Sequence, residues 1–205
     1  MMKLYYSPGA CSLAPHIVAH EAGLEIEFDR VDLNTQTTAS GRRFGKINPK
    51  GSVPALALQD GEVLTEVSAI LEYLADHVPD RRLLPKSGSM ERYRVQEWVG
   101  FIGTELRKGF DLLWDGLMPD AARRLAVQYL QRRLSYLDSC LAGRSYLVGD
   151  EFTVADAYCF TILNWTRFHR IDLSEYVAVQ AFMQKVSNRP MVRKAMEAEG
   201  LRHMA

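Results

Sequence analysis

No stretch of this chain approaches the about 20 consecutive apolar residues that a membrane-crossing helix needs, and the N-terminus has no long apolar segment of the secretory kind. These absences predict a chain with no membrane partner. Cysteine is scarce: Cys11, Cys140 and Cys159 are odd in number and widely spaced, which does not suit a disulfide framework and favours a reducing cytoplasm. There is no excess of either charge. Lys plus Arg and Asp plus Glu are both 25, so no global field exists to gather nucleic acid or an anionic surface. Internal repeats and low-complexity segments are also lacking. What remains is the make-up of an ordinary globular protein, 47% hydrophobic and 24% charged, long enough at 205 residues for one large domain or two small ones.

The richest local signal is Tyr5-Tyr6-Ser7-Pro8-Gly9-Ala10-Cys11-Ser12-Leu13-Ala14-Pro15. Leu4-Tyr5-Tyr6 has the composition of a buried strand, and Ser7-Pro8-Gly9 breaks it. A helical pattern then begins near Ser12, with Leu13, Ile17, Val18 and Ala22 on one side. Pro15 fits that helix only in its first turn, where a missing N–H costs little. Cys11 is thereby expected at or just before a helix N-terminus, where unpaired N–H groups and the helix dipole favour a thiolate. Cys140 and Cys159 lie in apolar helical settings and are expected to be inert and buried.

Gly23 is expected to close the first helix. Glu25 to Leu33 reads as a second strand, parallel to the first through that crossover helix. From Asn34 to Lys50 the chain is polar, a long irregular connection with room for one short helix. Asn48-Pro49-Lys50-Gly51 is turn chemistry, and Val53 to Leu58 begins a third strand with Pro54 at its start. Asp60-Gly61 signals a hairpin to Val63-Leu64-Thr65, followed by a helix from about Glu66 to His77. The order β-α-β, connection, β-β-α describes a four-stranded sheet. With a cysteine at the first helix and a proline opening the third strand, it is the pattern of the thioredoxin-like fold.

Beyond a linker at 81–86 every pattern is helical. Glu91 to Leu113 and Ala121 to Leu141 carry apolar residues at helical spacing, and Arg123, Arg124, Arg132 and Arg133 read as a solvated face. Thr153 is the expected N-cap of a further helix. Asp156 sits at its N3 position and Phe152 at the staple position, which makes Asp156 structural. Two shorter helices are expected near 177–188 and 190–199. The predicted architecture is an α/β thioredoxin-like domain over residues 1–80 followed by an all-α helical-bundle domain over 87–205.

Over essentially its full length the chain resembles the cytosolic glutathione transferases, in particular the bacterial beta class. The resemblance is carried by S-P-G-A-C-S-L-A-P at 7–15, N-P-K-G-S-V-P-A-L at 48–56, L-T-E at 64–66, T-E-L-R-K-G-F at 104–110 and F-T-V-A-D-A-Y at 152–158. It implies a cytoplasmic homodimer that binds glutathione as co-substrate, with no resident cofactor, and attacks a small hydrophobic electrophile. Catalytic roles are implied for Cys11, Arg107 and Lys108. Glutathione contacts are implied at Tyr6, Ala10, Gln36, Val53 and Pro54, and at Glu66, Val67 and Glu105. In chemical terms the Val53 backbone offers a strand edge to the cysteinyl part. Glu66 offers an acceptor to the γ-glutamyl amine, and the next helix N-terminus offers donors to its carboxylate. Glu66 also reads simply as a first-turn acid on the helix dipole.

Four positions depart from the usual beta-class pattern. Val67 stands where Ser or Gly commonly follows the glutamate, Gly100 where Asn is often seen and Gln36 where lysine is often found. Arg107 replaces the usual histidine before Lys108, and arginine stays protonated where histidine exchanges a proton near neutral pH. Three functions stay open on these residues. The first is conjugation by a bound glutathione thiolate. The second is thiol-disulfide exchange or reductive dehalogenation through a Cys11 mixed disulfide, since Cys11-Ser12-Leu13-Ala14 has no resolving cysteine. The third is non-catalytic binding of hydrophobic ligands. His16 and His20, spaced i, i+4, have no further metal ligand at a recognisable spacing. Tyr6 matches a tyrosine common in this class, and Phe110 and Trp114 read equally as pocket wall or as core.

Overall fold

A computed structural model of the chain describes residues 1–201. Its contacts divide it into two compact units, Met1–Leu84 joined by residues 187–201, and Pro85–Val186.

The first unit is a five-stranded sheet in the order β3-β2-β1-β4-β5, with β1 at Met2–Tyr6, β2 at Ile26–Asp32, β3 at Thr37–Thr38, β4 at Ala55–Ala57 and β5 at Val63–Thr65. Only β1 and β2 run parallel, joined by helix α1 (Leu13–Ala22); every other pairing is antiparallel. Helix α2 (Val67–Asp76) follows β5. Leu4 and Tyr5, adjacent on β1, are both buried because successive strand side chains face opposite sides of the sheet and both sides are covered. On one side Tyr5 packs with Val31, Phe44 and Ala55. Helix α1 packs against α2, and α9 (Pro190–Ala198) packs against α1. Gly23 ends α1 at φ 68°, and its N–H reaches the His20 carbonyl as a C′ glycine should.

Two expectations for this unit need correction. The sheet has five strands because Thr37–Thr38 folds back on Val31–Asp32, and the connection expected to be irregular also holds a 3-10 turn at Phe44–Lys46 anchored by fully buried Phe44. Residues 187–201, expected within the helical domain, group with the sheet because Val192, Ala195 and Met196 bury the apolar face of α9 there.

The second unit holds α3 (Met90–Phe101), α4 (Lys108–Asp111), α5 (Asp120–Leu141), α6 (Val154–Leu163), α7 (Trp165–Phe168) and nearly all of α8 (Val177–Ser187). The single helix expected over 91–113 is interrupted: π-helical turns at Ile102–Arg107 separate α3 from α4, and a 3-10 turn at Leu112–Trp114 ends it. Every residue of α6 is buried, including the polar Asp156 and Thr161. At its start Asp156 Oδ2 accepts the Thr153 N–H at 2.8 Å and the Thr153 hydroxyl at 2.9 Å, while Oδ1 accepts the Leu147 N–H at 2.8 Å. Burial nevertheless pushes the Asp156 carboxyl up to about 6, with those three hydrogen bonds acting in the opposite direction. Phe110 is fully buried, edge-on to Trp165, whereas Trp114 is half exposed. Cys159 is buried and its thiol is pushed up by desolvation. Cys140 is only half-buried, so the expectation of burial fails there; Tyr136, one turn earlier on α5, is exposed. Among the described residues no helix is long and apolar enough to cross a membrane.

Candidate active site

The sheet register brings three chain segments to one end. Tyr5 pairs with Ala55, and Ala55 with Thr65, in antiparallel ladders. One step further along the same register, Tyr6, Pro54 and Glu66 fall in a row across the sheet. The loop that carries Cys11 leaves from Tyr6, the Val53–Pro54 bond in this row is cis, and α2 starts directly after Glu66. Ala10, Cys11, Val53, Pro54, Glu66 and Val67 thus all belong to this one end of the first unit.

Ser12 shapes the loop. Its fully buried hydroxyl accepts the Ser7 N–H at 3.1 Å and donates to the Ser7 carbonyl at 3.2 Å, so it staples both ends of Ser7–Ser12 instead of capping α1. Ala10 N–H bonds the Ser7 carbonyl, and Leu13 N–H bonds the Ala10 carbonyl. Cys11 lies half-buried just ahead of α1, in no disulfide, with Pro15 in the first turn.

A second anchor comes from the far end of the chain. Glu199 Oε2 accepts the Gly9 N–H and Oε1 faces His16 Nδ1, both at 2.8 Å. The Glu199 and His16 side chains are sealed, at 0% and 1% exposure. His16 stacks on Phe28 at 4.0 Å between ring centroids, with Tyr6 edge-on to both rings. Burial and the Glu199 charge raise the Tyr6 hydroxyl above its ordinary value, while Arg30 opposes the shift. His20, the next ring, is held down to about 4 by burial and by the neighbouring His16 and Lys194, so it is neutral at pH 7. Sequence reasoning weighed His16 only as a metal ligand and missed Glu199 altogether; no local pattern links a residue just past α9 to a loop after β1.

Glu66 has φ 72° and ψ 130°, a region that residues with a Cβ rarely occupy. Its Oε1 lies 2.6 Å from Lys50 Nζ, which also donates to Thr65 Oγ1 at 2.9 Å. Gln36, another left-handed residue, donates through Nε2 to the carbonyls of Leu33 and Gly51, each at 3.0 Å. Both its amide hydrogens are therefore committed to the backbone.

Comparison with known proteins matches two family models, the glutathione S-transferase N-terminal domain over residues 9–77 and C-terminal domain over residues 119–190. The chain is 43% identical to glutathione S-transferase GstA of Escherichia coli O157:H7, across 98% of this chain and 100% of that one. The chain belongs to the glutathione S-transferase family. Among solved structures, it is similar to a sphingomonad glutathione S-transferase complexed with glutathione, at 44% identity and a TM-score of 0.94, covering 98% of this chain and 100% of that one. A bacterial beta-class glutathione S-transferase from Sphingomonas chungbukensis matches at 42% identity and a TM-score of 0.94, with the same coverage. The thioredoxin-like and helical architecture and the beta-class resemblance are thus both met.

The remaining expected site residues of this glutathione S-transferase lie on the second unit. Glu105 and Arg107 sit in the π-helical turns and Lys108 opens α4. Glu105 Oε2 accepts the Tyr129 hydroxyl and, at 2.7 Å, Arg133 Nε. Those two hydrogen bonds, Tyr129 first, hold its carboxyl below the ordinary range. Arg133 also stacks on the Tyr129 ring at 4.5 Å, so one member of the expected solvated arginine face has a defined task. Arg107 reaches Asp111 Oδ2 at 3.3 Å, one helical turn away. Among the described residues, no group of three or more His, Cys, Asp or Glu side chains is placed to hold a metal ion.

Proposed function

We propose that this chain binds glutathione along the Val53 edge and directs its thiolate at a small hydrophobic electrophile. The observation that carries the reading is the row Tyr6, Pro54, Glu66, which sets the Cys11 loop, the Val53 segment ahead of Pro54 and a helix N-terminus at one end of the sheet. An extended tripeptide pairing antiparallel to the segment before Pro54 has a defined polarity. Its γ-glutamyl amine meets the Glu66 carboxylate, and its α-carboxylate meets the Val67 N–H at the start of α2. Its cysteinyl amide pairs with Val53. Its sulfur comes to the loop of Ala10 and Cys11, flanked by Tyr6.

A free thiol near pKa 8.5 is a few per cent ionised at pH 7, so favouring the thiolate is the first catalytic task. The positive end of the α1 dipole acts in that direction. Arg107 and Lys108 keep the role that the resemblance gives them, as cations that favour negative sulfur. Neither accepts the thiol proton, which leaves to water. The sulfur then forms a bond to the electrophilic carbon and the leaving group departs with its electron pair. Homodimerisation and a cytoplasmic setting belong to the same reading, the latter supported by three cysteines that form no disulfide.

Conjugation of glutathione to a chlorinated nitroaromatic tests the proposal. Saturable turnover in both substrates is expected, and no turnover above background across several electrophile classes overturns it.

A further inference from the structure

The second unit carries a groove of about 360 Å³ where the π-helical turns and α4 pass over the first half of α5. Gly109 and Ala126, both buried, form its floor, and the missing Cβ of Gly109 is what lets the two helices meet there. Leu112 and Leu125 stand on its rim, 50% and 66% exposed. Single exposed leucines are ordinary on a protein surface. Two on one groove, above a buried apolar floor, make a continuous apolar surface.

The polar side chains of the groove leave one donor group to a ligand. The Thr104 hydroxyl is spent on the Gly100 carbonyl at 3.0 Å, and the Tyr129 hydroxyl on Glu105 Oε2. Arg133, stacked on the Tyr129 ring, holds that side chain further in place. Lys108 is exposed, and among the described residues it forms no ion pair or side-chain hydrogen bond. The acids nearest to it in sequence are engaged elsewhere, Glu105 by Tyr129 and Arg133 and Asp111 by Arg107. No acidic side chain is among the described residues that line the groove. An apolar floor and rim with one unspent cation complement a ligand that joins an apolar body to a single anionic head.

We propose that this groove binds a small apolar monocarboxylate, its body between Leu112 and Leu125 over Gly109 and Ala126 and its carboxylate on Lys108 Nζ. The charge-assisted contact to Lys108 sets the sign of the head, and the leucines set the apolar body. Every residue that lines the groove belongs to the second unit, and Lys108 alone among them carries a role implied by the family resemblance. The assignment does not rest on the glutathione reading.

Calorimetry without glutathione, using 2-naphthoate, 2-naphthamide and protonated 2-naphthylmethylamine, tests the proposal, because the three share one bicyclic body and differ in head charge. Wild-type protein is expected to bind 2-naphthoate about tenfold more tightly than the amide, the scale of a hydrogen bond to a charged group, and the amine most weakly. Added salt narrows these differences. Lys108→Ala is expected to bind naphthoate and naphthamide alike. Leu125→Glu places a carboxylate on the rim and is expected to weaken naphthoate about tenfold or more while favouring the amine. Both variants change exposed side chains, and thermal unfolding confirms their fold. Naphthoate affinity unchanged by Leu125→Glu overturns the groove as the site. Naphthoate bound no more tightly than the amide, or no binding of any of the three, overturns the carboxylate assignment. Sedimentation tests the other occupant: a dimer that Leu125→Glu splits into monomers makes the groove a contact between two copies of the chain and overturns the proposal.

Discussion

Glu199 and Gly9 are 190 residues apart in the chain and 2.8 Å apart in the structure, with Oε2 accepting the Gly9 N–H. The same carboxylate faces His16 through Oε1, so one sealed side chain holds both the loop of Cys11 and the helix behind it. Glu199→Ala removes the acceptor that the part-buried Gly9 N–H and the buried His16 ring N–H share. The expected loss is about 3 kcal/mol or more of unfolding free energy in urea. Hydrogen exchange at the Gly9 amide accelerates in Glu199→Gln as well, where one acceptor oxygen is replaced by a donor group. Unchanged exchange in both variants would show that the loop is held by Ser12 alone.

Asp156 predicts a pH dependence with a definite sign. Its folded value, about 6, lies above the ordinary 3.8. Below about pH 3.8 both states carry the proton, and the contribution to stability is fully present. Through the window from 3.8 to 6 the native state binds the proton more tightly, so stability falls as pH rises, by about 3 kcal/mol in total. The difference in unfolding free energy between wild type and Asp156→Asn, which does not titrate, should shrink by about that amount between pH 4 and pH 7. A difference independent of pH would place the carboxyl at an ordinary value.

Glu66 combines a backbone at φ 72° with an exposed ion pair to Lys50. Such pairs contribute about 0–1 kcal/mol, so Glu66→Ala should change stability little. Glutathione affinity should fall about 10- to 100-fold, because a charge-assisted contact to the γ-glutamyl amine is lost. Glu66→Gly should lose affinity equally yet gain about 1 kcal/mol of stability, since glycine occupies positive φ without a Cβ clash. Calorimetry paired with urea unfolding separates the two effects, and equal affinity in all three proteins would remove Glu66 from the site.

Gly109 explains part of the motif at 104–110. A Cβ there would lie 2.5 Å from Leu130 Cδ2 and 3.3 Å from Tyr129 Cδ1, because α4 crosses close over α5. Alanine in a helix gains about 1 kcal/mol over glycine, whereas overpacking costs about 1–3 kcal/mol. Leu130 is fully buried and has little room to yield, so the clash should win. Gly109→Ala is expected to melt below wild type, and a higher melting temperature would show that Leu130 repacks freely.

What the sequence disclosed depended on the distance over which each interaction acts. Thr153 and Asp156 are three residues apart, and their reciprocal bonds at the start of α6 were legible as a capping box. Cys11 ahead of α1 and the hairpin at Asp60-Gly61 were equally local, whereas the two-residue β3 was not, and four strands were expected where the sheet has five. Glu199 reaching Gly9 was not legible, since a glutamate after α9 has no nearby pattern that names its partner. Nor was Gln36: its residue type suggested a weak ligand contact, whereas its positive φ turns the amide back onto Leu33 and Gly51. The π-helical turns likewise left the apolar spacing of 91–113 looking continuous.

Cys11 separates the two thiol chemistries. If the bound glutathione sulfur is the nucleophile, Cys11 only shapes its surroundings. Cys11→Ala should then retain conjugation within about tenfold, a change the size of one modest hydrogen bond. If Cys11 attacks, oxidised glutathione should yield a mixed disulfide: the Cys11 thiolate bonds one sulfur and the other leaves as glutathione thiolate. Intact mass would show one adduct on wild type and none on Cys11→Ala, and conjugation by the variant would drop to background. An adduct that survives the substitution belongs to Cys140, the other half-buried thiol, whereas Cys159 is sealed within α6. Retained conjugation by Cys11→Ala is the expected result. The short bonds that staple Ser7 to Ser12 fix the loop backbone without using the Cys11 side chain.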